Sequence, residues 1–141
     1  MDAALVRNLD PLIIGAVGMT ARALSRAGLD VTIVQWRVLL IAGESRAGAT
    51  VTEIARRIEA NLSPASRLVS RLERRGLVAT AKDPDDRRTT RVTLTVEGRR
   101  VRAEVLRRRR ADLRAAIERA RIEPGELPAL TRLAAAFARH A

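Results

Sequence analysis

The sequence predicts a mainly α-helical fold with a small β-hairpin, and three observations support this prediction. Apolar residues recur at three- and four-residue steps over most of the chain, which is the spacing of amphipathic helices. Two apolar-rich segments flank the polar stretch from Asp83 to Arg88, as in two strands joined by a turn. Two short helices with capping signals and a short turn between them precede that stretch. This order is typical of a winged helix-turn-helix.

The chain before residue 30 predicts one long amphipathic helix that ends at Gly28. The pair Asp10 and Pro11 is typical of a helix N-cap and first turn, so we expect the helix to begin or bend there. We expect a single domain over residues 1–141. In it, residues 30–95 form the winged helix-turn-helix core, and residues 1–28 and 96–141 form dimerisation helices.

Capping patterns locate the next two helices. Thr32 and Gln35 form a predicted capping box, and Gly43 follows the apolar residues of that helix. Thr50 and Glu53 form a second predicted capping box at the start of a further short helix. These patterns predict the first two helices of the winged core.

The helix that follows carries the sharpest functional signal. Ser63 is its expected N-cap, and Pro64 is expected at its first position. Its predicted inner stripe is apolar and comprises Ala65, Leu68, Val69 and Leu72. The outer face carries small hydroxyls and arginines without a carboxylate, whereas a solvated helix face normally mixes acids and bases. Small side chains let a helix enter the major groove while arginines reach bases or phosphates. The candidate DNA-binding residues of this helix are Ser63, Pro64, Ser66, Arg67, Ser70, Arg71 and Arg74.

The predicted hairpin has strands at residues 77–81 and 91–94, with a turn that starts at Asp83. Its tip presents Arg87 and Arg88, which suit the concentrated negative potential of a narrow minor groove. We expect Asp86 to pair with an arginine and so orient the tip. The alternative is an ordinary polar hairpin loop. The candidate DNA-binding residues of this wing are Lys82, Asp86, Arg87 and Arg88.

The charge of the chain indicates an anionic partner. The formal net charge is +11 and the isoelectric point is about 11.7. Trp36 and Phe137 are the only aromatic residues, so the chain has no aromatic platform on which to stack single-stranded bases. The preferred partner is therefore double-stranded DNA. High charge alone would also fit a nonspecific architectural DNA-binding protein.

Several function classes are excluded by what the sequence lacks. No cysteine is present, which excludes disulfides, thiol redox sensing and cysteine-ligated zinc. The single histidine, His140, is expected to be a surface residue near the C-terminus. Asp83, Asp85 and Asp86 resemble the start of a calcium loop, but the required glycine and terminal glutamate are missing. We expect no metal, no cofactor and no enzymatic activity.

The chain also shows no signal-peptide pattern and no apolar run of membrane-spanning length. We therefore expect a cytoplasmic protein that does not bind membranes. The run of arginines at residues 107–110 is interpreted as a solvated helix face, and a second DNA contact there is the open alternative.

The terminal helices predict a dimer. A long helix starts at the capping residue Thr95, and another apolar stripe follows Pro124. Together with the N-terminal helix they carry more apolar surface than the small winged core can cover. Pairing with a second copy would bury that surface.

The chain resembles the MarR family of transcriptional regulators nearly over its whole length. The matching segments are Thr32 to Leu39, Thr50 to Ala55, Leu62 to Val69, Leu72 to Val78, and Asp83 to Arg88 followed by Leu94 to Gly98. The resemblance implies a homodimer that binds a pseudo-palindromic operator, usually as a repressor relieved by a small ligand. It also implies that residues 63–71 enter the major groove and Arg88 the minor groove. Many members carry an arginine near the end of the first wing strand, where this chain has Thr80 and Ala81.

The resemblance further implies an effector site between the first two helices, the long helix and the winged core. In this chain, apolar Val17, Trp36 and Leu40 would line that site, and Arg22 or Arg37 would bind an acidic group. We therefore expect a small-molecule effector, with an aromatic acid as the leading class. The effector's identity, the operator sequence and the sign of regulation stay open at this stage.

Overall fold

The computed structural model describes residues 3–139, so His140 lies outside the described residues. In chain order the described elements are α1 (Ala3–Arg26), α2 (Ile33–Ala42), β1 (Ala49–Thr50), α3 (Val51–Arg57), α4 (Leu62–Arg74), β2 (Val78–Lys82), β3 (Thr90–Leu94), α5 (Val96–Ala120), a short 3-10 helix (Pro124–Glu126) and α6 (Leu127–Arg139). The mainly helical fold with a β-hairpin is confirmed. No helix within residues 3–139 is both long and apolar enough to cross a membrane.

The sheet contains one strand more than the predicted hairpin. Its order is β1-β3-β2, with both neighbouring pairs antiparallel. Strand β1 has two residues, Ala49 and Thr50, which pair with Val92 and Arg91. Two residues are too few to show the alternation that reveals a strand in a sequence. Gly48 precedes β1 with a φ of +71°, and a Cβ there would lie 2.0 Å from the carbonyl oxygen of Val92.

The core lies between α2, α3, α4 and the sheet. Its largest fully buried side chains include Trp36, Leu39, Ile54 and Leu72. The inner stripe predicted for α4 is confirmed, because Ala65, Val69 and Leu72 are buried and Leu68 packs against them. Burial of this stripe determines which side of α4 faces outward.

The predicted caps are confirmed at α2 and only in part at α3. The Thr32 hydroxyl accepts from the Gln35 N–H at 3.1 Å, and the Gln35 side chain accepts from the Thr32 N–H at 2.9 Å. Gly43 is the C-cap of α2. The Thr50 hydroxyl accepts from the Glu53 N–H at 3.1 Å, without the reciprocal bond of a capping box in the described chain.

The expected start of α4 is wrong, and of the two outcomes expected at Pro11, a helix start or a bend, the start is wrong. Helix α4 begins at Leu62 with Asn61 as its N-cap, so Ser63 lies inside the first turn. The left-handed backbone of Glu59 (φ 57°) ends the preceding helix early enough for α4 to start before the Ser-Pro signal. Helix α1 does not begin at Pro11 but continues through it. Pro11 has no N–H to donate within the helix, yet the helix runs from Ala3 to Arg26.

The start of α5 is tied to the start of β2 by backbone contact. The Thr95 hydroxyl donates to the carbonyl of Gly76 at 2.6 Å and accepts from the N–H of Gly98 at 3.0 Å. A Cβ at Gly98 would lie 1.9 Å from the carbonyl oxygen of Leu77. Only glycine therefore permits this contact, which accounts for the threonine and the glycine in the segment from Leu94 to Gly98.

We predict that Gly98→Ala lowers the free energy of unfolding by about 1–3 kcal/mol, because two backbones must separate to admit the methyl group. Urea unfolding followed by circular dichroism measures this loss. Gly125→Ala is the matched control, since a Cβ at Gly125 meets no atom within 4 Å. Equal stability of Gly98→Ala and wild type would contradict the assigned contact.

Candidate nucleic-acid interface

The outer face of α4 is open to solvent. Pro64 is half-buried, and the six other candidate residues of this helix are exposed: Ser63, Ser66, Arg67, Ser70, Arg71 and Arg74. Arg67 Nη1 donates to Ser63 Oγ at 2.9 Å, which keeps this arginine along the first turns of the helix. The structure thus brings the predicted recognition residues together on one accessible face.

The carboxylate of α4 is directed to the sheet. Glu73 Oε1 accepts from the backbone N–H of Thr80 at 3.0 Å and from the Thr80 hydroxyl at 2.7 Å. Strand β2 is at the edge of the sheet, so its outward N–H would otherwise lack a partner in the sheet. This clamp joins the recognition helix to the wing. No spacing rule in the sequence pointed to it, because the two residues lie on different elements.

The wing tip is accessible, but Asp86 does not have the predicted partner. Lys82, Arg87 and Arg88 are exposed. The Asp86 carboxylate accepts from the backbone N–H of Arg88 at 3.0 Å and from the Thr89 hydroxyl at 3.1 Å. The expected pairing of Asp86 with an arginine side chain is therefore wrong. A short aspartate side chain in a tight turn reaches nearby backbone donors more readily than a distant guanidinium.

The ion pair of the wing is made by Asp83, which the sequence interpretation treated as a turn residue. Asp83 is buried, and its Oδ2 accepts from Arg91 Nε at 2.8 Å and from Arg91 Nη2. Its Oδ1 accepts from the Asp85 N–H at 2.9 Å. The Asp85 N–H, followed by the Arg91 guanidinium, holds the pKa of Asp83 below its ordinary value. This pair fixes the base of the hairpin.

The arginines of α4 and of the wing tip carry uncompensated charge. Across residues 3–139, none of Arg67, Arg71, Arg74, Arg87 and Arg88 forms an ion pair with a carboxylate. Their guanidinium groups are therefore free to bind an anion such as a phosphate. The described residues contain no cluster of three Asp, Glu or His that could hold a metal ion.

The predicted effector residues converge, with one exception. A cavity of about 440 Å³ lies between α1, α2 and α5, and Val17, Trp36, Arg37 and Leu40 all line it. Arg22 does not line this cavity but lies beside Gly18 on the exposed side of α1. The resemblance located the apolar residues, whereas the exposed position of Arg22 follows from how α1 packs.

The sequence interpretation missed Arg109, which also lines this cavity. Arg109 is half-buried and has no ion-pair partner in the described chain. Burial, followed by the charges of Arg110 and Arg102, lowers the pKa of Arg109. Arg109 lies in a run of four arginines, and the sequence therefore favoured a solvated helix face over a cavity lining. Arg37 is less available than expected, because its Nη2 donates to the Arg57 carbonyl at 2.7 Å.

An outward recognition helix beside an arginine-tipped wing defines a winged helix-turn-helix DNA-binding regulator. The profile of the MarR family matches residues 31–90. Over these residues the chain is similar to the MarR family of transcriptional regulators, which confirms the resemblance seen in the sequence. Proteins of this family are DNA-binding regulators rather than enzymes.

One transcriptional repressor and two solved structures are similar to this chain. The HTH-type transcriptional repressor IacR of Pseudomonas putida is 37% identical over 70 residues, which are 50% of this chain and 41% of that repressor. A MarR-family regulator from Rhodococcus sp. RHA1 superposes with a TM-score of 0.75 at 26% identity, over 96% of this chain and 92% of its own. CouR of Rhodococcus jostii RHA1, solved with p-coumaroyl-CoA, gives a TM-score of 0.71 at 29% identity, over 92% and 87% of the two chains.

We predict that the Asp83–Arg91 pair makes stability depend on pH in acid. Because the folded protein lowers the pKa of Asp83 below its ordinary 3.8, the stabilisation is complete above that value. It is lost as the pH falls through the lower, folded-state pKa. Asp83→Asn should therefore be less stable than wild type at neutral pH, with the difference shrinking below about pH 4.

Urea unfolding of both proteins across acidic pH measures this difference. Asp10→Asn is a matched control, since Asp10 is exposed and forms no ion pair within residues 3–139. If the difference in the free energy of unfolding between wild type and Asp83→Asn does not change with pH, the charge of Asp83 does not provide the stabilisation.

Proposed function

We propose that the protein is a ligand-responsive repressor that binds a pseudo-palindromic operator as a homodimer. The observation that carries this proposal is the exposed face of α4, which holds unpaired arginines and small hydroxyls without a free carboxylate. That face has the composition needed to lie against bases and phosphates. Because its target would be chromosomal DNA, we place the protein in the cytoplasm.

In this proposal, the residues on α4 and the wing divide the contacts between two grooves. The face from Ser63 to Arg74 enters the major groove, where Arg67 reads a base edge. Arg88 enters the neighbouring minor groove, and Lys82 and Arg87 contact phosphates. Asp86 orients Arg88 by accepting its backbone N–H. The clamp between Glu73 and Thr80 keeps the helix and the wing at a constant relative position.

We predict that Arg67→Ala weakens operator binding by about 1–3 kcal/mol and relaxes the preference at one operator position. Footprinting of the protein's own upstream DNA would locate the site, and gel shifts with substituted duplexes would measure the preference. Arg114→Ala is the matched control: it removes the same charge from the exposed part of α5 and should leave the base preference at that operator position unchanged.

A uniform loss across all duplexes would make Arg67 a phosphate contact instead. Equal affinity of the wild-type protein for random and upstream duplexes would contradict operator recognition. That result would favour the nonspecific architectural alternative.

The dimer is proposed from apolar side chains that one copy leaves uncovered on its terminal helices. Apart from Val96 at the start of α5, the exposed large apolar residues of α1, α5 and α6 are Leu5, Val6, Leu12, Ile13, Ile14, Val17, Leu113, Ile117, Leu127, Leu130 and Phe137. Exposed apolar surface concentrated on three helices marks an interaction face rather than scattered surface residues. A symmetric dimer would place its two recognition helices about 34–36 Å apart, one turn of DNA.

We predict that Ile14→Glu shifts the protein from dimer to monomer, because Ile14 is 73% exposed in one copy and would bury a charge in the pair. Light scattering at micromolar concentration measures the mass. Val96→Glu is the matched control, because Val96 is 76% exposed but lies at the start of α5. A wild-type monomer, or equal masses for the two variants, would contradict this interface.

The effector is proposed from the cavity between α1, α2 and α5. Val17, Trp36 and Leu40 provide apolar walls that suit an aromatic ring, and Arg109 provides a desolvated cation for an acidic group. CouR, solved with p-coumaroyl-CoA, supports an aryl acid or its thioester as the class to test. We propose that such a ligand binds this cavity and alters operator affinity.

We predict that Arg109→Met weakens binding of an aromatic acid about tenfold or more, because a charge-assisted hydrogen bond contributes about 1.5–3 kcal/mol. p-Coumarate and p-coumaroyl-CoA are the probes. Trp36 is the only tryptophan and lines the cavity, so its fluorescence reports binding. Arg22→Met is the matched control, and an equal loss for the two variants would contradict a role for Arg109.

A further inference from the structure

A second cavity lies on another side of the winged core. Its volume is about 720 Å³, and it lies between the end of α2, the loop before β1, strand β3 and the first turns of α5. We call it the arginine cavity, after Arg46, Arg99 and Arg102 in its lining. None of its lining residues belongs to α4 or the wing tip. It shares only Glu44 with the lining of the proposed effector cavity.

The lining of the arginine cavity has a surplus of positive charge. Three arginines line it against one carboxylate, Glu44. Both oxygens of Glu44 already accept from Arg57, at 2.5 Å and 2.6 Å. Arg57, and to a smaller extent Arg102, keep the pKa of Glu44 below its ordinary value. The carboxylate is therefore engaged elsewhere, and the cavity arginines lack a counter-charge of their own.

Arg102 is held in place by packing rather than by a polar partner. A Cβ at Gly43 would lie 2.7 Å from both Cδ and Nε of Arg102, so the side chain lies directly over the end of α2. Arg102 Nε is buried and has no hydrogen-bond partner in the described chain. The C-terminal dipole of α2 favours a cation there. That effect does not satisfy the buried N–H, nor does it explain two further arginines at the same cavity.

The other two arginines come from different elements. Arg46 lies in the exposed loop after α2 and has no hydrogen bond or ion pair within residues 3–139. Arg99 Nη1 donates to the carbonyl of Leu94 at 2.8 Å, which leaves its remaining N–H groups available. A ligand that bound all three side chains would join the α2 loop to α5.

We propose that the arginine cavity binds a small anion that carries phosphate groups. Guanidinium groups match phosphate oxygens in fork geometry, and several arginines around one anion also neutralise its charge. The volume falls in the range of small-molecule sites, so an organic moiety can accompany the phosphate. Ala42 and Leu94 supply an apolar part of the lining for that moiety.

Inorganic pyrophosphate is the probe that tests this site in the full-length protein without DNA. Calorimetric titration at constant ionic strength should show one saturable site per chain, with sulfate binding more weakly. Arg102→Gln and Arg46→Gln should each reduce the affinity about tenfold, the expected loss for one charge-assisted contact. Arg114→Gln, which removes equal charge from α5 outside the cavity, should leave the affinity unchanged.

A further variant separates this site from the DNA-facing surface. The double variant Arg67→Gln/Arg88→Gln should bind pyrophosphate as wild type does. Loss of binding in that variant but not in Arg102→Gln would overturn the proposal, as would equal losses in all arginine variants. If Arg102→Gln does not fold by circular dichroism, Arg46→Gln decides the question, because Arg46 is in an exposed loop. Because no operator is present, the result is independent of the proposed DNA recognition.

Discussion

The backbone of α5 meets the backbone of Leu77 at the point where the recognition helix turns into the sheet. Gly98 permits this approach, and Thr95 holds it through bonds to Gly76 and Gly98. Three functional parts meet at this junction: the end of α4, the first strand of the wing and the start of the long helix. Because protein interiors are close-packed, a rotation of α5 here cannot be absorbed without moving α4 or the sheet. The positions of the proposed DNA contacts therefore depend on this junction.

The same helix reaches both cavities. Arg99 and Arg102 lie within its first turns and line the arginine cavity, whereas Arg109 lies farther along and lines the cavity against α1 and α2. A ligand that changed how α5 packs on α1 or α2 would act on a helix whose N-cap, Thr95, is hydrogen-bonded to Gly76 just after α4. An effector needs different affinities for two such arrangements, and a rigid helix with contacts at both ends provides a route between them.

Ion pairs neutralise some arginines of this strongly basic chain and leave others without a carboxylate partner. On α5, Glu97 pairs with Arg100, and Glu104 pairs with Arg107 and Arg108. The latter two arginines lower the pKa of Glu104 to about 2. The run at residues 107–110 is therefore divided: Arg107 and Arg108 are paired, Arg109 lines the cavity between α1, α2 and α5, and Arg110 is exposed. On α4 and the wing tip the arginines have no such partners, so this surface carries uncompensated positive charge.

The sequence by itself determined the fold class, the order of elements and the faces of the recognition helix, because local periodicity and capping residues encode these features. The resemblance to a known family, rather than any local pattern, selected four residues that line the cavity between α1, α2 and α5. Tertiary structure alone decided the partners that are distant in sequence or on separate elements.

Four features were set by the tertiary structure: the clamp from Glu73 to Thr80, the pair of Asp83 with Arg91, the third strand and the burial of Arg109. Each depends on how two elements are placed against each other. A side chain's neighbours across the fold follow from the packing of the whole core, and no local pattern in the chain specifies them.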